Sequence, residues 1–313
     1  MPGVSAFSDA EMDLAAQHAE SADLILSLKE QPLRLVNQPG FPRRPVVVCL
    51  HRSDPQNQGT ALAELKTAVA DGRIAACICC AESTRDAYRA AGIPAHLLHV
   101  IPNGVDLGRF QPVRKRASLR RSLGLPTRAK VVAFAARYDR MKHVSLFLRS
   151  AKQFLKQTPN GHILMCGAGM SRANAELCGD RETIFGDEPK LLQRLHLLGV
   201  RHDMERVYAA ADVVALTSSF GEAAPLCLIE GAMCGAIPVA TDVGDCASIV
   251  SGLGLITPPD PDAISAAWTE AVQRRAELAP SLARSRERFS HTRMIAAYAT
   301  LIERIHREVG ANA

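Results

Sequence analysis

Short apolar runs recur along the chain, each followed by a helical or turn segment. Asp23–Ser27, Val46–Leu50, Ile74–Cys80 and Leu97–Ile101 have strand length. The pattern restarts at Lys130–Ala135, His162–Cys166, Arg194–Leu198, Val213–Thr217 and Ile237–Ala240. A sheet wetted on one face would alternate apolar with polar residues. Unbroken apolar runs separated by helices instead predict parallel strands covered on both faces. Helices are expected at Val144–Gln157 and Met204–Ala211, and the capping-box form of Ser8-Asp9-Ala10-Glu11 predicts another from Asp9 to about Glu20. In Thr292–Val309, Met294, Ile295, Tyr298, Leu301, Ile302 and Ile305 predict an amphipathic helix that closes the chain against a domain surface. The fold class is therefore α/β and doubly wound.

A length of 313 residues fits two domains. We expect them at 1–108 and 109–313, the second including the closing helix. Pro102-Asn103-Gly104 is turn chemistry, and the stretch Gln111–Arg128 carries Arg114, Lys115, Arg116, Arg120, Arg121 and Arg128. That basic run reads either as a solvated linker and helix face or as a peripheral contact with anionic lipid headgroups. No apolar run approaches the roughly 18 to 20 residues of a membrane helix. The start, Met1-Pro2-Gly3 followed by Asp9, Glu11 and Asp13, lacks the basic and apolar regions of a leader. The expected location is the cytoplasm, with at most peripheral contact at the inner face of the membrane.

Hydrophobic residues at 47% and charged residues at 22% exclude wholesale disorder. A net charge of +5 is too mild for a nucleic-acid partner. The nine cysteines are an odd count and sit in apolar runs; Cys77, Cys79 and Cys80 read as part of a buried strand. A metal site would need ligands at CxxC-type spacing together with distant partners, and no such set is present, so no metal is expected.

The chemistry concentrates in Ser218 through Thr241. A strand ends near Thr217, a loop carries Glu222, a helix begins at about Pro225, and Gly235 ends it before the next strand. Unsatisfied N–H groups at such a helix start form a ready anion site. Glu222 at its mouth and Glu230 along the helix fit a ligand that also carries hydroxyls, since a phosphate alone would be repelled.

This stretch resembles the E-x7-E signature of the family 4 glycosyltransferases, particularly through Glu230-Gly231-Ala232-Met233-Cys234-Gly235 and Thr241-Asp242-Val243-Gly244-Asp245. Other matches fall in the family's order. They are Ile101-Pro102-Asn103-Gly104-Val105-Asp106, Ala136-Arg137-Tyr138-Asp139-Arg140-Met141-Lys142-His143, Leu197-Leu198-Gly199-Val200-Arg201-His202-Asp203-Met204, and Ala209-Ala210-Ala211-Asp212-Val213. The resemblance implies the GT-B architecture of two Rossmann-like domains and a retaining, metal-independent transfer of sugar without a cofactor. The donor would be a nucleotide-diphosphate sugar, with UDP preferred, and the acceptor a glycan or lipid-linked glycoconjugate. By that resemblance Arg137 and Lys142 hold the diphosphate, Glu230 the ribose, and Glu222 faces the donor sugar. His51, at a strand end, matches an N-domain histidine near the reacting sugar. Asn103, Gly104, Arg201 and the segment Ala223, Ala224, Pro225 and Leu226 complete the donor site.

The chain departs from the family pattern at Ala136 and His143, where glycines are usual, at Ala223-Ala224, and at Gly231 in place of alanine. Only four strand candidates precede Pro102, and the family's opening β-α-β-α-β portion has no counterpart. We therefore expect a first sheet with an open edge, covered by a partner chain or a second copy. The chain by itself should bind nucleotide but transfer poorly. The alternative is a non-catalytic nucleotide-sugar-binding subunit or a degenerate copy.

Overall fold

The computed structural model describes residues 8–310; Met1-Pro2-Gly3 lies outside them. The chain forms two units, one of residues 1–102 and 294–313, the other of Asn103–Arg293. This corrects the expected division at 108/109. It also moves the C-terminal helix, His291–Gly310, largely into the first unit.

In the first unit β1 (Ile25–Ser27), β2 (Val46–Leu50), β3 (Ile74–Cys79) and β4 (Leu98–Val100) form a parallel sheet in that order. The strand side chains divide by parity. Val46, Val48, Leu50, Cys77 and Cys79 face Leu33, Leu65 and Tyr88 from the crossover segments. Val47, Cys49, Ala76 and Ile78 face Leu301 and Ile305 of the terminal helix. That second face explains why the last helix returns: a parallel sheet needs both faces covered. The predicted capping box forms, with the Glu11 amide donating to Ser8 Oγ (3.3 Å) and the Ser8 amide to Glu11 Oε2 (2.7 Å) at the start of the helix Asp9–Ser21.

The second unit contains β5 (Lys130–Ala135), β6 (Gly161–Cys166), β7 (Leu195–Gly199), β8 (Val213–Leu216), β9 (Ile237–Thr241) and β10 (Leu255–Thr257). Their spatial order is β10-β9-β8-β5-β6-β7, all pairs parallel. This is the dinucleotide-binding order, three strands wound one way from the centre and three the other. The reversal falls between neighbours β5 and β8, where the connections leave in opposite directions and open a crevice at the strand ends. The strand β10, a three-residue run between Gly254 and Pro258, was too short to predict from periodicity.

Two of the six residues of the basic run, Arg116 and Arg120, turn inward instead of to a membrane. Arg116 Nη1 and Arg120 Nη2 meet the buried Asp212 carboxylate at 2.9 and 2.8 Å, and Arg120 also donates to the Ala129 carbonyl (2.7 Å). These bonds anchor the helix Arg116–Ser122 to the start of β8. No helix among the described residues is long and apolar enough to cross a membrane. Among the described residues no two cysteines form a disulfide, most of the cysteines are buried, and burial pushes the Cys79 and Cys166 thiols up to about 12, which makes those two inert packing groups.

Candidate active site

The site grows from the β5/β8 reversal. After β5 the chain runs through Arg137 to a tight turn, Arg140–Lys142, capped by Asp139, whose Oδ1 accepts from the Met141 amide at 2.8 Å. After β8 the segment Thr217–Pro225 leads into the helix Leu226–Met233. The two segments are stitched together. The Ser219 amide donates to the Met141 carbonyl (2.9 Å) and the Thr217 hydroxyl to the Lys142 carbonyl (3.1 Å). That stitching brings Lys142 to Glu222, and their side chains form a largely buried ion pair that Ser218 Oγ joins by donating to the same carboxylate oxygen. Arg137 stays more than half exposed, its Nε donating to Asp139 Oδ2 at 3.0 Å.

Two glycines brace these loops, Gly167 outside the quoted motifs and Gly244 within one. A Cβ on Gly167 would lie 2.1 Å from the Ala136 carbonyl oxygen, and one on Gly244 2.2 Å from that of Glu222. Both also have positive φ, so only glycine fits. The glycine that usually follows the lysine is His143, and it keeps the left-handed conformation (φ 48°). The strain is thus retained where the helix Val144–Gln157 starts, beside the cationic turn. Gly231 has a packing reason: a Cβ there would meet Val214 Cγ1 of β8 at 2.5 Å, so glycine lets the helix approach the sheet.

Pro225 is the extended residue before the helix, as expected, and Leu226 opens it with its side chain 44% exposed. Asn103 Nδ2 donates to the Ala224 carbonyl (3.2 Å), which joins the Asn103-Gly104 turn to this loop. Gly104 packs on the returning strand-like segment: a Cβ would lie 2.4 Å from the Ser290 carbonyl oxygen, and Val105 bridges Ser290 in parallel register. Ala223 is buried, and its carbonyl accepts from the Asp245 amide (2.9 Å).

Glu230 is half-buried on the same helix, hydrogen-bonded by the phenol of Tyr208. Burial holds its carboxyl above the usual range, opposed by Tyr208 and by the charge of Arg109. Tyr208 is a site residue the sequence reading missed, since a single tyrosine before Ala209-Ala210-Ala211-Asp212 carries no signal of its partner. Arg201 closes a bidentate pair with Asp203 (2.8 and 2.6 Å), a rigid planar rim after β7. Arg109 reaches Glu205 Oε2 (2.9 Å) and the His202 carbonyl (2.7 Å) nearby. His51 belongs to the first unit, where its Nε2 lies 3.0 Å from the Leu28 carbonyl oxygen. Among the described residues no group of three or more His, Cys, Asp or Glu side chains is placed to hold a metal ion.

Known proteins share this pattern. Residues 129–274 match the family described as glycosyl transferases group 1, and residues 14–109 match Glycosyltransferase Family 4. The chain belongs to the family 4 glycosyltransferases. Among this family 4 member's curated relatives is the D-inositol 3-phosphate glycosyltransferase of Corynebacterium jeikeium, 32% identical over 161 residues, which are 50% of this chain and 38% of that one. The enzyme of the same name from Xylanimonas cellulosilytica is 28% identical over 63% of this chain and 46% of its own length. The matched segments thus span less than half of those relatives. Among solved structures, HepE of Anabaena in complex with UDP superposes with a TM-score of 0.79 at 24% identity, covering 94% of this chain and 82% of that one. Sucrose-phosphate synthase of Thermosynechococcus elongatus gives 0.71 at 21% identity over 100% and 82%. These likenesses establish the two Rossmann-like units of the GT-B class.

Proposed function

We propose that this family 4 member is a retaining glycosyltransferase that takes its sugar from a UDP-sugar and passes it to a hydroxyl of a glycan or glycoconjugate. The observation that carries this reading is the Lys142–Glu222 pair at the β5/β8 reversal, with Arg137 on the segment that leads to Lys142, the Leu226–Met233 helix start just after Glu222 and Glu230 one helix turn further on. Cations and helix N–H groups suit a diphosphate, and the carboxylates suit ribose and sugar hydroxyls. HepE, whose structures hold UDP and UDP-glucose, supports the choice of base.

In the reaction the anomeric carbon–phosphate oxygen bond breaks as the acceptor oxygen bonds to that carbon; UDP leaves with the electron pair, and the acceptor hydroxyl's proton passes to the departing phosphate oxygen. Arg137, Lys142 and the helix start stabilise the charge that develops on the departing diphosphate. These side-chain cations do the work for which other transferases use a divalent ion, so the reading needs no metal or other cofactor. The family resemblance assigns His51 to the sugar, and Asn103, Gly104 and Arg201 to the nucleotide. The same reading puts the protein in the cytoplasm, where UDP-sugars are available, with Arg114, Lys115, Arg121 and Arg128 left exposed for a peripheral contact with anionic lipid.

The test is transfer from a panel of radiolabelled nucleotide sugars to glycan, lipid-linked and inositol-phosphate acceptors, with and without a chelator. Weak transfer from a UDP-sugar that survives chelation is expected. UDP binding without any transfer or hydrolysis would favour a non-catalytic binding subunit.

A further inference from the structure

The first unit contains a buried carboxylate that the reaction as described does not use. Glu30, three residues beyond β1, is 2% exposed. The hydroxyl of Tyr88, from the helix that follows β3, donates to its Oε1. Gln58, from the segment that follows β2, donates from Nε2 to the same oxygen (3.1 Å) and to the Tyr88 hydroxyl (2.9 Å). One carboxylate thus ties together the connections that leave three successive strands at the C-terminal end of the sheet. Buried polar groups are costly to leave without hydrogen-bond partners, so a satisfied network of this kind holds its members in one arrangement.

What it holds is the short loop Leu28–Pro32. The Glu30 carbonyl accepts from the Leu33 amide (2.9 Å), which starts the helix Leu33–Val36, and Ser27 Oγ donates to the Lys29 carbonyl (2.6 Å). Between these two fixed points lies Leu28, whose carbonyl oxygen is 3.0 Å from His51 Nε2. A carbonyl only accepts, so the ring proton sits on Nε2, and in the neutral ring Nδ1 keeps its lone pair. The His51 side chain is otherwise exposed.

We propose that Glu30, with Tyr88 and Gln58, is a positioning residue: it clamps the Leu28 carbonyl so that His51 stays in the Nε2–H tautomer and offers Nδ1 as an acceptor to a sugar or acceptor hydroxyl. The use of that hydroxyl rests on the transferase reading; the clamp and the tautomer do not. A histidine of mixed tautomer would present a donor to the same hydroxyl part of the time and lose the interaction.

The test is nitrogen-15 spectroscopy of the histidine rings in the full chain without substrate, with His51 assigned by His51→Gln. The parent should show a pyridine-type shift at Nδ1 and a pyrrole-type shift at Nε2. Tyr88→Phe and Glu30→Gln should move both nitrogens toward averaged values, and Gln58→Ala, at a half-buried position, serves if either fails to fold. Transfer should fall about tenfold or more in kcat, as for a misplaced reacting group, while KM for the UDP-sugar stays the same. A proton on Nδ1 in the parent, or unchanged ring shifts in every folded variant, would overturn the clamp. Altered tautomers with undiminished transfer would overturn its use in the reaction. Absence of transfer by the parent would instead count against the transferase reading and leave the ring measurement decisive for the clamp.

Discussion

Lys142 and Glu222 form an ion pair across the two loops that meet at the β5/β8 reversal, and both side chains are largely buried. On the proposed reading, the ammonium that would meet the diphosphate is already paired with Glu222, and entering phosphate oxygens would compete with that carboxylate for it.

Lys142→Ala removes one charge-assisted contact to the diphosphate and should weaken UDP binding by roughly 1.5–3 kcal/mol, with uridine binding little changed. Glu222→Gln frees the ammonium, so UDP should bind as tightly as before or more so while transfer drops. Calorimetry with UDP and uridine checks both, and equal UDP affinity in Lys142→Ala and parent would remove Lys142 from the donor site.

The carboxyl of Glu230 should give UDP binding an acid limb. Burial raises its pKa, so it takes up a proton at a higher pH than an exposed glutamate. The neutral acid accepts ribose hydrogen bonds less well, and affinity should fall as pH drops toward that raised value. Glu230→Gln should bind UDP weakly at every pH and lose this limb. Binding measured from pH 8 to about 5 would read the difference.

His143 holds a conformation that glycine adopts without cost. His143→Gly relieves it, whereas His143→Ala keeps it and removes the ring. The glycine variant should be more stable than the alanine variant by about 1 kcal/mol. Urea unfolding of the pair measures this, and equal midpoints would show that the backbone there carries no strain.

On β6 and β7, His162 Nδ1 lies 3.0 Å from His196 Nε2, with the rings stacked. Burial, then the neighbouring ring, lowers His162 from 6.5 to about 4, and burial lowers His196. The unfolded chain therefore binds more protons than the folded one between those values. Stability is full above about 6.5 and falls as pH drops toward 4. His162→Gln should flatten that slope, which urea midpoints measured across the interval will test.

Much of this was legible in the residues themselves. Unbroken runs such as Val46–Leu50 and Lys130–Ala135 specify buried parallel strands because their hydrophobic period leaves no wet face. Ser8 and Glu11 specify a helix start through contacts three residues apart. Arg137, Lys142, Glu222 and Glu230 stand out as candidates because each lies in a contiguous motif beside a strand or helix end.

The pairings required the tertiary structure. Nothing local joins Lys142 to Glu222, Tyr208 to Glu230, or Glu30 to Tyr88, because each pair is distant in sequence and meets only when strand order brings separate connections together. The same holds for the last helix. Its periodicity predicts an apolar stripe, but the stripe fits any bare face; only the uncovered side of β2 and β3 decided that Leu301 and Ile305 would return to the first unit. Local patterning fixes which face of an element is buried, and long-range packing fixes against what.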